Sequence, residues 1–210
     1  MNGDVRIGMR GALTLALLLA LLLPPFHAVG GNQLEEALAN SVRSSMQASI
    51  ADRAAPFLNF KSGAENGHKW LFEMSKRLKQ RIPDRKLRTE LLKTVQYEAI
   101  RAGVDPQMVL GLIQVESGFR KYAVSSSGAR GYMQVMPFWI KLIGERHHNL
   151  FALRTNLRYG CVILRHYLNV ENGDYFRALG RYNGSLGQPE YPNAVNAAWQ
   201  GPWKYDGATS

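Results

Sequence analysis

Downstream of Gly103 the chain nowhere sustains the period-two alternation of a half-buried strand, while its apolar residues recur at helical spacing. Its helix ends are also punctuated in the sequence. Gly103 stands where a left-handed C-cap is wanted, and Asp105-Pro106 follows at once as an N-cap and a first-turn proline. Pro83-Asp84 opens the preceding helix, expected to run to about Ala102. The helix opened by Pro106 carries Val109, Leu110, Leu112, Ile113 and Val115 and ends near Glu116. Further upstream, Leu34, Leu38, Val42, Met46 and Ile50 recur every four residues, which predicts a helix over residues 32–50. Gly63, Asn66 and Gly67 predict a break after it. The expected class is all-α, and no internal repeat is visible.

At 210 residues the chain can hold one good core with an appendage. Its 46% hydrophobic content excludes a disordered or collagen-like class. The net charge of +10 suits a polyanion of any kind, whether nucleic acid, anionic lipid or an acidic wall polymer, and does not bear on fold. Residues 69–101 alone hold ten Lys/Arg against four Asp/Glu, interleaved with Trp70, Leu71, Phe72, Leu78 and Ile82. The favoured reading is an amphipathic helix pair with a wet basic face; the sharper one is docking on anionic wall polymer or a membrane surface.

Arg6 and Arg10 precede an apolar run over residues 12–23, broken only by Thr14 and closed by Pro24-Pro25. This is the layout of a secretory signal peptide, shorter than the roughly 20 residues of a spanning helix. Cleavage after Ala28 is expected, although Phe26 is bulky where a small residue is preferred; an uncleaved anchor is the alternative. No cysteine stands close after the run, which argues against a lipoprotein. The expected location is therefore outside the cytoplasm, in the periplasm or cell envelope. Cys161, the one cysteine, sits in an apolar helical stretch and reads as a small buried hydrophobe. His147-His148 reads as a solvated loop pair that no Cys or carboxylate cluster joins, so neither metal nor cofactor is expected.

Glu116 ends the most apolar helix of the mature chain. A helix-end Glu is ordinarily exposed; held in an apolar cleft instead, it would have its pKa raised by desolvation. The following residues decide between the two. Glu116-Ser117-Gly118-Phe119 leads into Ser126-Ser127-Gly128-Ala129-Arg130-Gly131-Tyr132-Met133-Gln134-Val135-Met136-Pro137, then Asn156-Leu157 with Gly160, then Arg181-Tyr182-Asn183-Gly184-Ser185. These four ordered blocks, over roughly residues 95–195, resemble the soluble lytic transglycosylase family. Its signature is Glu-Ser, a short loop, Gly-x-x-Gly-Leu-Met-Gln-x-Met-Pro, Asn-Ile-x-x-Gly and Ala-Tyr-Asn-Ala-Gly. The departures are Tyr132 for Leu, Arg181 for a small residue, Gly184-Ser185 for Ala-Gly, and Lys121-Tyr122 where a proline commonly stands. They bear on subsite shape more than on chemistry.

The resemblance implies a goose-type lysozyme-like helical domain, expected over residues 83–210; the leader at 1–28 and a helical extension at 29–82, which resembles no known family, are expected before it. It implies cleavage of the β-1,4 MurNAc–GlcNAc bond of peptidoglycan with Glu116 as acid and then base, and no cofactor. A Glu of ordinary pKa is protonated only about once in 500 at pH 7, against roughly one in ten at a pKa near 6. Ser117 and the Tyr182 hydroxyl are candidates to orient the Glu116 carboxyl, and Gln134 and Asn183 to bind sugar amide and hydroxyl groups. Met133 belongs to the same motif loop, and Tyr132 and Tyr191 are expected to line the glycan groove. Among the other aromatics near these blocks, Phe138, Trp139 and Trp199 are expected mostly in the core.

From Ser117 to Gly144 there is no Asp or Glu, and Glu145, Glu171, Asp174, Glu190 and Asp206 lie outside the motif blocks. That scarcity fits a mechanism in which the muramoyl C6 hydroxyl attacks its own C1 to leave a 1,6-anhydro end, with no second carboxylate required. A hydrolytic goose-type muramidase is the nearest rival, and a non-enzymatic wall-binding or secretion scaffold the rival from another class. Nucleic-acid binding rests on charge alone and conflicts with export. A monomer acting on glycan strands is expected.

Overall fold

In a computed structural model, residues 33–51 and 64–207 are described. The leader, its cleavage site and Gly63 lie outside the described residues. Eight helices account for the described fold: α1 (Asn40–Ala51), α2 (Ala64–Leu78), α3 (Arg85–Ala102), α4 (Pro106–Ser117), α5 (Phe138–Ile143), α6 (Leu153–Val170), α7 (Tyr175–Asn183) and α8 (Glu190–Gln200). The only strand-like pairing among the described residues is two isolated bridges, Val124 with Arg130 and Arg130 with Val135. The all-α expectation holds.

α4 is the centre of the molecule because its sequence leaves it no wet face. Met108, Val109, Leu110, Leu112 and Ile113 are all fully buried, and a helix apolar all round must be surrounded. α8 packs along it, closely enough that a Cβ added at Gly111 would come 2.9 Å from the Trp199 backbone nitrogen. The punctuation read in the sequence is present in the structure. Asp84 accepts from the backbone N–H groups of Lys86 and Leu87 at 2.7 and 3.0 Å, Gly103 takes φ +68°, and Asp105 caps α4 ahead of Pro106.

The N-terminal helices share this core. Met46 and Ile50 of α1 and Trp70, Met74 and Leu78 of α2 belong to one apolar cluster with Leu112 and Leu164. A buried charge cluster closes the α1 end. Glu98 on α3 meets Arg158 of α6 at 2.9 Å, with Arg101 and Arg154 beside it. Arg158 and Arg101 also donate to the Ile50 and Ser49 carbonyls, satisfying two of the four orphan acceptors at the C-terminus of α1.

Two expectations need correction. The helix predicted over 32–50 begins at Asn40, and residues 33–39 are not helical. Gln33 is buried there at 4% exposure and accepts from the Trp139 indole at 2.8 Å, a tertiary bond that overrides the spacing of four. Leu34, the first residue of that spacing, is exposed. Asn66 and Gly67 do not break the chain but lie inside α2, where Trp70, Met74 and Leu78 supply the buried stripe. Cys161 is a free, fully buried thiol whose pKa is pushed up by burial, as expected of a small hydrophobe.

Candidate active site

Glu116 comes one residue before the end of α4, so the helix delivers a carboxylate into the protein rather than to its surface. The side chain is 0% exposed. Its Oε1 accepts a 2.5 Å hydrogen bond from the Tyr191 hydroxyl on α8, and Oε2 is buried without a hydrogen-bond partner. Desolvation pushes the carboxyl up to about 8, against the weaker opposing pull of the Tyr191 hydrogen bond. The Tyr191 and Tyr182 hydroxyls are both held well above the usual phenol range, mainly by burial and secondarily by Glu116. Burial thus favours the protonated, neutral form of the Glu116 carboxyl.

It lies against a groove of about 780 Å³ whose lining includes Gln114, Val115, Ser117, Gly118, Asn183, Ser185, Gln188 and Tyr191. Of the residues expected here, Glu116, Ser117, Asn183 and Tyr191 line it; Tyr132, Met133, Gln134 and Tyr182 do not. The hydroxyl on Glu116 is that of Tyr191, and not of Ser117 or Tyr182 as anticipated. Ser117 instead donates to the Tyr132 carbonyl at 2.7 Å, and Tyr182 to the Met133 carbonyl at 2.8 Å.

Those two bonds belong to a set that staples the glycine-rich loop from beneath. Gln134, fully buried, donates from Nε2 to the Ala123 and Gly131 carbonyls at 3.1 and 3.0 Å, and its own φ of +47° shows how far the loop is bent. Met133 is buried beneath Gly160, where a Cβ would come 2.3 Å from its sulfur. Asn156 makes three bonds, accepting from the Met133 N–H at 2.8 Å and donating to the Arg130 and Leu150 carbonyls at 2.8 and 2.9 Å. Gly131 has φ +78° and sits so near the Leu150 carbonyl that no side chain fits. Asn156→Leu therefore leaves the Met133 N–H and the Leu150 carbonyl unpaired, while the Arg130 carbonyl keeps the Val135 N–H at 3.0 Å. The loss expected is about 2–4 kcal/mol, read as a melting temperature lower by roughly 10 °C in a calorimetric scan.

Sequence reasoning missed Gln33, which accepts from the Met136 N–H at 3.4 Å as well as from Trp139 and so joins the same staples. It also missed Gln114, Gln188 and Arg81 at the groove. None of them sits in a motif block, and no local pattern marks them. Arg181, one of the departures, turns to Glu171 and Glu36 instead of the groove. Glu190, at the start of α8, is exposed on the groove rim, a carboxylate that its place in the sequence did not reveal.

The histidine pair is also corrected. Glu145 joins it, the three donor groups lying within 4.8 Å of one another, and His148 is half-buried with Nδ1 2.7 Å from the Tyr159 hydroxyl. The loop folds back on α6, which is why a carboxylate two residues away reaches the pair. These residues line a separate hollow with Arg158.

The geometry meets its relatives at this point. The family model described as the transglycosylase SLT domain matches residues 93–198, half of the chain, from within α3 to near the end of α8. The chain belongs to the transglycosylase SLT family. A transglycosylase of Enterobacteria phage PRD1 is 32% identical over 98 residues, 47% of this chain and 36% of its own. Membrane-bound lytic murein transglycosylase C of Actinobacillus pleuropneumoniae serotype 5b (strain L20) is 46% identical over 48 residues, 23% of this chain and 13% of its own. The same-named protein of Haemophilus influenzae (strain PittEE) is 44% identical over 46 residues, 22% of this chain and 13% of its own. The chain thus spans little more than a third of the first relative and about an eighth of the other two. Within the SLT family match fall Glu116, the stapled loop and Tyr191, whereas α1, α2 and Arg81 lie before it.

Proposed function

We propose that this protein is a peptidoglycan lytic transglycosylase, with Glu116 as its acid/base. The observation that carries the reading is the carboxyl of Glu116, fully buried beside the groove and raised to about 8. With that pKa roughly nine in ten molecules hold the proton at pH 7. Glu116 gives this proton to the glycosidic oxygen between MurNAc and GlcNAc as the C1–O4 bond breaks, leaving an oxocarbenium-like C1 and a carboxylate. The muramoyl C6 hydroxyl attacks C1, and its proton passes to Glu116. The C1–O6 bond closes the 1,6-anhydro ring, and the acid is restored without water. Tyr191 holds one carboxyl oxygen throughout, fixing the direction in which the other delivers its proton. Asn183 and Ser117 border the groove, and the Tyr132–Gln134 loop acts through its stapled backbone.

We further propose residues 29–82 as the helical extension and 83–210 as the catalytic domain. The leader-like residues 1–28 support export to the periplasm or cell envelope; among the described residues no helix is long and apolar enough to cross a membrane. The basic stretch over residues 69–101 remains the candidate for contact with anionic wall polymer or membrane.

Glu190 supports a second reading, hydrolysis, because a carboxylate on the rim is what a water-activating base would be. Mass spectrometry of digested sacculi separates the two. The expected products are muropeptides ending in 1,6-anhydro-MurNAc; ends heavier by one water would sink the transglycosylase reading.

A further inference from the structure

The groove has a wall that the family match does not contain. It is formed by the turn between α2 and α3, and it carries Arg81 into the same groove as Glu116. This turn is firmly built. Leu78 is fully buried below it, the Arg81 N–H donates to the Leu78 carbonyl at 3.0 Å, and Arg77 reaches the Pro202 and Lys204 carbonyls at 3.1 and 2.6 Å. The Arg81 guanidinium lies over the ring of Phe119, its carbon 6.0 Å from the centroid. Arg120, one residue further on, uses its Nε to donate to the Ser117 carbonyl at 2.9 Å and is exposed at the groove.

Elsewhere in this chain the buried carboxylates gather guanidinium groups: Glu98 with Arg101, Arg154 and Arg158, and Glu171 with Arg177 and Arg181. Among the described residues, Arg81 and Arg120 have no carboxylate within ion-pair distance. Both stand exposed at the groove beside a largely apolar lining. Among the described residues on this rim the only other carboxyls are Glu190 and the desolvated Glu116, so the two arginines leave it with an excess positive charge. A planar guanidinium already seated on an aromatic ring loses little freedom when it takes a carboxylate in a two-pronged bond.

We propose that Arg81 and Arg120 form an anion-recognition rim that selects glycan strands by a carboxylate carried on the muramoyl substituent. The inference rests on the transglycosylase reading and adds to it a substrate preference. The carboxylate has two possible sources, the acidic residues of a stem peptide or the free lactyl group of a strand stripped of peptide. In both cases the chemistry recognised is the same, and uncharged glycan lacks it. Arg81 would act as a specificity residue, raising the local concentration of the right strand without taking part in bond cleavage.

The test uses the full chain on four substrates: intact sacculi, amidase-stripped strands, and each of these with its carboxylates converted to methylamides. For the wild type, conversion is expected to raise KM about fivefold on whichever strand carries the recognised group, and so to name the source. Arg81→Gln should remove that difference, Arg81→Lys should restore part of it, and the wild-type preference should shrink at high salt. The proposal is overturned if conversion leaves the wild-type KM unchanged on both strands. It is equally overturned if Arg81→Gln keeps the ratio, or lowers kcat and melting temperature instead, which would mark a structural residue. Anhydro product with no charge preference removes this inference alone; no anhydro product from any strand removes the reading beneath it.

Discussion

Glu116→Gln is expected to lower the release of anhydro-muropeptides by about 1,000-fold or more, while making the protein more stable. Both effects come from one buried carboxyl. A Gln cannot give a proton to the leaving oxygen or take one from the C6 hydroxyl, so both halves of the reaction lose their acid/base. The stability effect follows from proton linkage. The folded-state value near 8 lies above the ordinary 4.5, so between these pH values the folded protein binds more protons than the unfolded chain. Stability is then fully present below about pH 4.5 and is lost as pH rises through 8. The largest possible contribution of such a displacement is about 5 kcal/mol. The amide does not ionise, and the variant escapes the loss. Its melting temperature should exceed that of the wild type by more at pH 8 than at pH 5. A variant that kept turnover would remove Glu116 from the mechanism, and a stability gap that narrowed with pH would show that its carboxyl is not desolvated.

The second large effect concerns pH and Tyr191. For an enzyme that needs its acid protonated, kcat/KM should stay level up to about pH 8 and fall tenfold per unit above it. This differs from an acid of ordinary pKa, whose activity would already be falling at pH 5. Tyr191→Phe removes the single hydrogen bond to Oε1, an interaction that lowers the Glu116 pKa. The sign is therefore fixed: the alkaline limb should move to higher pH, not lower. With the direction of the carboxyl no longer held, kcat should drop about 10- to 100-fold. Rates on solubilised strands from pH 5 to pH 10, for wild type and variant together, provide the measurement. A limb that moved down, or a variant as fast as the wild type, would contradict the role given to Tyr191.

The motif residues turn out to divide into two groups that no pattern in the sequence separates. Glu116 and Asn183 line the groove, whereas Gln134, Tyr182 and Asn156 face inward to hold backbone carbonyls and N–H groups of the loop. A polar residue in a motif block can serve substrate or scaffold. The difference is one of direction, set by where the loop bends at Gly131 and Gln134. Ser117 shows the same ambiguity, since it borders the groove yet spends its hydroxyl on the Tyr132 carbonyl.

What the sequence determined by itself was local and periodic. The helix start at Pro83-Asp84, the caps at Gly103 and Asp105-Pro106, the apolar run of α4 and the Glu near its end were all legible. Caps and apolar stripes work within one or two turns of a helix, so neighbouring residues are enough to specify them. The ordered motif blocks likewise carried the family. Tertiary structure alone decided which hydroxyl meets Glu116, 75 residues away on α8, and that Gln33 reaches Trp139 across 106 residues. It also decided that Arg81 and Glu190 share a groove with the acid. These are contacts between elements whose relative placement depends on how the whole core packs around α4. A single side chain contributes nothing to a periodic pattern that would announce its distant partner.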